Sequence, residues 1–191
     1  MNYLAHLFLS CKDDDLLIGN FLTDFLKKKE TDQLAERFQA GVRLHRKIDQ
    51  FTDTHPMVIQ GVRRMYPAHS KYATVIVDVL YDYFLIHNWN DFTDESFIDF
   101  RLRIYDVLRK NIGYFPARIH HSVRNMVSGD WLQSYGTPAG LDYTFSRMSH
   151  RASKPDLLAN GLRSLQEHEQ ALNSEFLAFF PDVIKEVECF C

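Results

Sequence analysis

The sequence predicts an all-α protein, a single-domain helical bundle. Apolar residues recur at helical spacing along most of the chain, and no strand-rich region competes with them. Neither an internal repeat nor a glycine-rich phosphate loop points to another class. A length of 191 residues fits one domain, taken as 1–191, and 15 Phe with 9 Tyr supply bulky material for its core.

Met1 to Ser10 reads as a short buried helix on Leu4, Leu7 and Phe8, with His6 among them. Asp13, Asp14 and Asp15 suit an N-cap and first helical turn, where free N–H groups and the helix dipole favour negative charge. The helix they open runs from Leu16 to about Lys29, and Lys27-Lys28-Lys29 suits its negative end. A third helix spans about Asp32 to Phe51. Thr54-His55-Pro56 breaks it, and Pro56 opens a fourth to about Tyr66. Ser70 to His87 is predicted helical because Val75, Ile76, Val79, Leu80, Phe84 and Leu85 keep the helical period, although 74–77 alone has the β-branched composition of a strand.

Thr93-Asp94-Glu95 reads as the capped start of a helix to about Asn111, and Pro116 opens another to about Ser128 that Gly129 ends. Trp131 to Tyr135 and Pro138 to Ser149 predict shorter helices. Lys154-Pro155-Asp156 introduces a long amphipathic helix, bent near Gly161, with Leu157, Leu158, Leu162, Leu165, Leu172, Phe176 and Phe179 on its apolar side. Pro181 is expected to interrupt it before a disordered tail at Cys189-Phe190-Cys191.

A formal charge of -3 argues against wholesale nucleic-acid binding. The three cysteines, Cys11, Cys189 and Cys191, fit neither a zinc spacing nor a disulfide framework, so a reducing, cytoplasmic setting is expected. No stretch is apolar for long enough to span a bilayer, and the N-terminus lacks the basic flank of a signal peptide.

The stretch Gly41 to Asp53 carries the chief chemical signal. His45, Asp49 and Asp53 recur every fourth position and rise along one helix face. The same polar spacing returns as Asn2/His6, Asn20/Asp24 and Asp78/Asp82. Carboxylates on a face as apolar as that of 75–85 are costly unless paired, hydrogen-bonded or bound to a cation. Pairing with Arg43, Arg46 or Arg63 would satisfy the acids one at a time, and a backbone carbonyl would satisfy His6. Oxygen and imidazole groups contributed by four helices instead suggest a cation site. Without thiolate ligands it favours Mn²⁺, Mg²⁺ or Fe²⁺ over structural zinc. Arg43 or Arg46 beside the acids is suited to a bidentate phosphate contact. Arg118, His120, His121 and Arg124 form a second polar cluster. No Ser/His/Asp or Cys/His arrangement stands out.

These blocks resemble a known family. Met1-Asn2-Tyr3-Leu4-Ala5-His6-Leu7, Gly19-Asn20-Phe21-Leu22-Thr23-Asp24-Phe25, the run Leu44 to Asp53, and Asp78-Val79-Leu80-Tyr81-Asp82-Tyr83-Phe84-Leu85 with Trp89 are similar to segments of the acyl carrier protein phosphodiesterases, as is Met148-Ser149-His150-Arg151. The resemblance implies an HD-domain-like all-α fold and hydrolysis that depends on a divalent ion, Mn²⁺ above all. It implies holo-acyl carrier protein as substrate, cut at the phosphodiester between its serine and 4′-phosphopantetheine. His6, Asn20, Asp24, His45, Arg46, Asp49, Asp78 and Asp82 match the family positions. On this reading His6, Asp24, Asp78 and Asp82 hold the metal, Asp24, His45, Arg46 and Asp49 are catalytic, and Arg43, Lys47 and Arg63 bind the acidic carrier. Phe8 and Tyr83 stand where some members have histidine. Two further readings stay open: hydrolysis of a nucleotide or other small phosphoester, and a helical module that binds the carrier without cutting it.

Overall fold

Helices form where the apolar spacing places them, and no strand occurs in the computed structural model, which describes residues 1–191. Two short helices come first, α1 (Tyr3–Phe8) and α2 (Asp14–Thr23); Asp13 caps α2 by accepting from the Leu16 N–H at 2.9 Å. A single turn, α3 (Lys28–Thr31), precedes α4 (Gln39–Thr54). Pro56 stands first in α5 (Pro56–His69), and α6 (Ala73–His87) follows. The second half holds α7 (Phe97–Asn111), α8 (Ala117–Ser128), α9 (Trp131–Ser134), α10 (Pro138–Ser149), α11 (Asp156–Ala159) and the long α12 (Gly161–Val187).

One connected apolar core runs from Leu4 to Val187 and so ties both ends of the chain together. α6 lies at its centre: from Val79 to Leu85 every side chain is buried, and Tyr81 packs on Phe176 and Phe179 of α12. The closest helix crossing is α2 on α4. A Cβ at Gly19 would overlap the Phe38 carbonyl, and one at Gly41 would overlap the Leu16 carbonyl, so the two backbones touch where neither residue has a side chain. That contact brings Asn20 and Asp24 of the α2 end against the face of α4 carrying His45 and Asp49.

Several boundaries differ from expectation, each for a local reason. The helix expected to Lys29 stops at Thr23, where Phe25 folds back on Phe21 and Tyr3 with ring centroids at 5.0 and 5.6 Å. The third helix begins at Gln39 rather than Asp32, because the Gln39 amide donates to the Thr31 and Leu34 carbonyls and holds that segment outside the helix. Ser96, not Thr93, caps α7 by accepting from the Asp99 N–H at 3.1 Å. The chain breaks at Asn160 instead of bending at Gly161. Pro181 does not stop α12: Phe179, Phe180, Val183 and Val187 are all buried around it. Burial worth about 1.5–3 kcal/mol per side chain outweighs roughly 3 kcal/mol for an internal proline.

The C-terminus is also not a loose tail. Val187 is buried, a turn covers Glu188–Phe190, and Cys191 is disulfide-bonded to Cys11 across a Cα separation of 5.9 Å. The odd cysteine count concealed a pair separated by 180 positions, with Cys189 left free. Alkylation of the denatured protein is therefore expected to label Cys189 alone before reduction and all three cysteines after it, as read by mass spectrometry. Three labels without reduction would show that the pair is not joined.

Candidate metal centre

The site is built from α1, α2, α4 and α6. Asn20 is its pivot: its Nδ2 donates to the His6 carbonyl and to Ser10 Oγ, both at 2.9 Å. Those two donations fix which way the amide faces, so Asn20 Oδ1 is the atom turned to the imidazoles, 3.0 Å from His6 Nδ1 and 2.9 Å from His45 Nδ1. A carbonyl oxygen only accepts, so both Nδ1 atoms carry hydrogen. The two rings stack at 4.2 Å.

Both Nε2 atoms then face Asp49, His6 Nε2 lying 3.2 Å from Oδ1 and His45 Nε2 3.1 Å from Oδ2. The His45–Asp49 contact is the one the four-residue spacing anticipates. Burial holds the His6 imidazole below its ordinary pKa and therefore neutral at pH 7. His6 Nε2 is buried and makes no hydrogen bond despite its nearness to Asp49. Burial works to raise the Asp49 carboxyl, but positive charge beside it, from the Met1 ammonium and from an imidazole that takes up a proton at Nε2, holds it well below the usual carboxylate range.

Two more carboxylates border the cluster. Asp24 Oδ1 stands 3.9 Å from His45 Nε2 at the rim, with its side chain 26% exposed; partial burial raises its carboxyl while His6 and His45 pull it down. Asp78 is reached through the Met1 α-amino group, which lies 3.4 Å from Asp78 and 3.5 Å from Asp49. Burial raises Asp78 as well, against the pull of that ammonium.

His6, Asn20, Asp24, His45, Asp49 and Asp78 thus come together. Asp82 is set apart from them, fully buried with each carboxylate oxygen accepting from α1 at 3.0 Å, one from Leu4 N–H and one from Ala5 N–H. The basic residues lie elsewhere. Arg46, about 100° round α4 from His45, turns to Thr31 and Asp32. Lys47 pairs with Glu186, while Arg43 and Arg63 are exposed to solvent. His120 donates to or accepts from nothing in the cluster, meeting the Phe115 carbonyl at 2.8 Å, and Arg118 pairs with Glu30. Phe8 packs among Trp89, Phe100 and Phe180, and the Tyr83 hydroxyl donates to Glu169 at 2.9 Å. Reading the sequence gave Asn20 no chemical role. Its signal is the adjacent Gly19, whose need for close approach can be seen only once Gly41 lies across from it.

The donor set suits a divalent cation. His6 Nε2, His45 Nε2 and Asp49 offer ligand atoms within 4.8 Å of one another. Each imidazole gives its Nδ1–H to Asn20, the arrangement that orients a metal-binding histidine. Lone pairs converging on an ionised carboxylate repel one another unless a positive charge stands among them.

Fold and site together define an all-α protein organised around an imidazole–carboxylate centre. Residues 1–183 match the acyl carrier protein phosphodiesterase family, and the chain belongs to it. It is 28% identical to the acyl carrier protein phosphodiesterase of Yersinia pestis over 189 residues, covering 98% of each chain. The enzyme of the same name from Yersinia enterocolitica is 29% identical over 189 residues, again 98% of each. That of Escherichia coli O139:H28 is 27% identical over 191 residues, with 97% of each covered. No solved structure matches the chain significantly. No helix is long and apolar enough to cross a membrane.

Proposed function

We propose that this chain hydrolyses holo-acyl carrier protein with the aid of a divalent ion, Mn²⁺ foremost, releasing 4′-phosphopantetheine and leaving apo-carrier. Membership of the family supports the substrate. One observation supports the ion: Asn20 Oδ1 takes both Nδ1–H groups, leaving neutral His6 with its Nε2 turned on the ionised Asp49.

His6, His45 and Asp49 would hold the ion, with Asp24 at the rim as the fourth group. When bound, the ion polarises the phosphoryl oxygens and makes a coordinated water more acidic. Asn20 keeps both rings in the ligand tautomer. Asp24, facing outward beside His45, would take the proton of the attacking water and pass it to the carrier serine oxygen as the bond from phosphorus to that oxygen breaks. Asp82 serves as the buried cap of α1, and Arg46 is not part of the phosphate contact.

The test is the mass of purified holo-carrier after incubation with protein and Mn²⁺. Loss of the phosphopantetheine mass is expected with wild type, none with chelator, and a fall of at least roughly a hundredfold in rate with Asp24→Ala. An unchanged carrier mass with metal shown to be bound would move the reading to another phosphoester. Failure to bind any divalent ion would leave the cluster as internal pairing.

A further inference from the structure

Beside the metal centre, on the far side of Tyr3, lies a cleft of about 220 Å³ built from segments distant in sequence. Tyr3 and Phe25, stacked at 5.6 Å, form one wall, and Trp131 and Tyr143 form the other. Tyr3 belongs to both places, since it opens the helix that carries His6 and its ring stacks on Phe25, the residue that follows Asp24. The Trp131 wall is held firmly. Asp130 sits in the left-handed region at φ 50°, paired with Arg101 and accepting from the Tyr105 hydroxyl at 2.9 Å, and that hydroxyl accepts in turn from the Leu132 N–H.

Three polar groups of the cleft have no partner within the chain. The Arg147 guanidinium lies 4.1 Å over the Trp131 ring but meets no carboxylate, and neither does Arg151 at the mouth. Every guanidinium this close to a ring is oriented by cation–π attraction yet keeps its N–H donors for an anion. On the opposite wall Asn2 Nδ2 is buried without a hydrogen-bond partner, which is costly for an amide donor. A cleft smaller than the roughly 300–1,000 Å³ that encloses a drug-sized ligand takes a segment of a molecule rather than the whole.

We infer that this cleft seats the phosphopantetheine arm of the carrier, with its gem-dimethyl and amide segment between the Tyr3 and Trp131 walls and Arg147 and Arg151 neutralising its phosphate end. The inference rests on the hydrolysis proposed above. Asn2 Nδ2–H donates to an amide or phosphoryl oxygen of the arm. The arm chemistry matches the lining: a short aliphatic stretch for the rings, carbonyl oxygens for Asn2, and an anion for the guanidiniums. Continuity through Tyr3 places the phosphodiester next to Asp24. Arg147 and Arg151 contact the substrate phosphate directly on this assignment.

Tryptophan fluorescence reads the cleft directly, because the other tryptophan, Trp89, is buried among Phe8, Phe97 and Phe100. Titration with 4′-phosphopantetheine is expected to change the Trp131 signal, and inorganic phosphate alone is not. Arg147→Ala and the exposed Arg151→Glu should each weaken that binding roughly tenfold or more. The same variants should raise KM for holo-carrier and lower kcat as well, because both guanidiniums meet the phosphate that is cut. If holo-carrier is cut with unchanged KM in both variants, the cleft assignment falls and the hydrolysis reading stands. If holo-carrier is not cut, but 4′-phosphopantetheine binds and both variants weaken it, the hydrolysis reading falls and the cleft assignment stands. An equal response to inorganic phosphate would overturn recognition of the arm.

Discussion

Asp82→Ala is expected to destabilise the fold by about 3 kcal/mol and to lower Tm by roughly 6–12 °C. The N–H groups of Leu4 and Ala5 open a helix in the centre of the core, and a helix start leaves such donors without partners of its own. Asp82 reaches them from α6, 78 and 77 positions away, and accepts from both at 3.0 Å. Alanine would leave two buried donors unsatisfied. Asp82→Asn keeps one acceptor and turns an amide nitrogen toward the second N–H, so it should lose about half as much.

The pair also differs in pH dependence. Burial pushes the Asp82 carboxyl up to about 7, against the downward pull of the Leu4 and Ala5 N–H groups. An unfolded aspartate titrates near ~3.9. Between those values the folded protein keeps a proton that the unfolded chain has released, so this group makes stability fall as pH rises, by at most about 1.4 kcal/mol per unit. Asp82→Asn abolishes that contribution. Denaturant unfolding of wild type and both variants at several pH values between 4 and 8 reads all of this. Equal stability of Asp82→Ala and wild type would remove the capping role.

Asp82 also marks where sequence reasoning runs out. Its place on an apolar helix announces a buried carboxylate, and the cost of burial announces a partner, but nothing local distinguishes a cation from a helix start 78 residues earlier. Asp49 was easier, since its partner His45 stands one turn away on the same helix and the two meet at 3.1 Å. Asp24 and Asn20 carried the right spacing, yet their facing the imidazoles depends on Gly19 meeting Gly41. Arg46 follows His45 in sequence but turns to Thr31 and Asp32, because the next side chain on a helix is turned by about 100°. The helices themselves were legible from their apolar period. Their ends were not, because Gln39 and Phe25 set them through contacts outside the helix. The Cys11–Cys191 pair and the Tyr3–Trp131 cleft join residues that only the completed fold brings together.

Asp49→Ala is the opposite case, a large loss of activity with little loss of stability. Its side chain is 42% exposed, so its removal opens no cavity in the core. The rate of carrier hydrolysis should fall by at least about 10²–10³-fold, the scale of losing a group that holds charge at the reacting centre. Tm without metal should stay within about 4 °C of wild type, since water reaches the Asp49 side of these contacts and the Met1 ammonium keeps Asp78 as a partner. If Asp49 instead serves to pair internally with His6, His45 and the Met1 ammonium, its loss strands partly buried groups and Tm drops much further. Added metal separates the two roles. Wild type at about 100 times its Kd for Mn²⁺ should gain roughly 2.7 kcal/mol of stability, and Asp49→Ala should lose most of that gain. A variant that melts early yet keeps the full Mn²⁺ stabilisation would assign Asp49 to the fold, and leave His6, His45 and Asp24 to hold the ion without it.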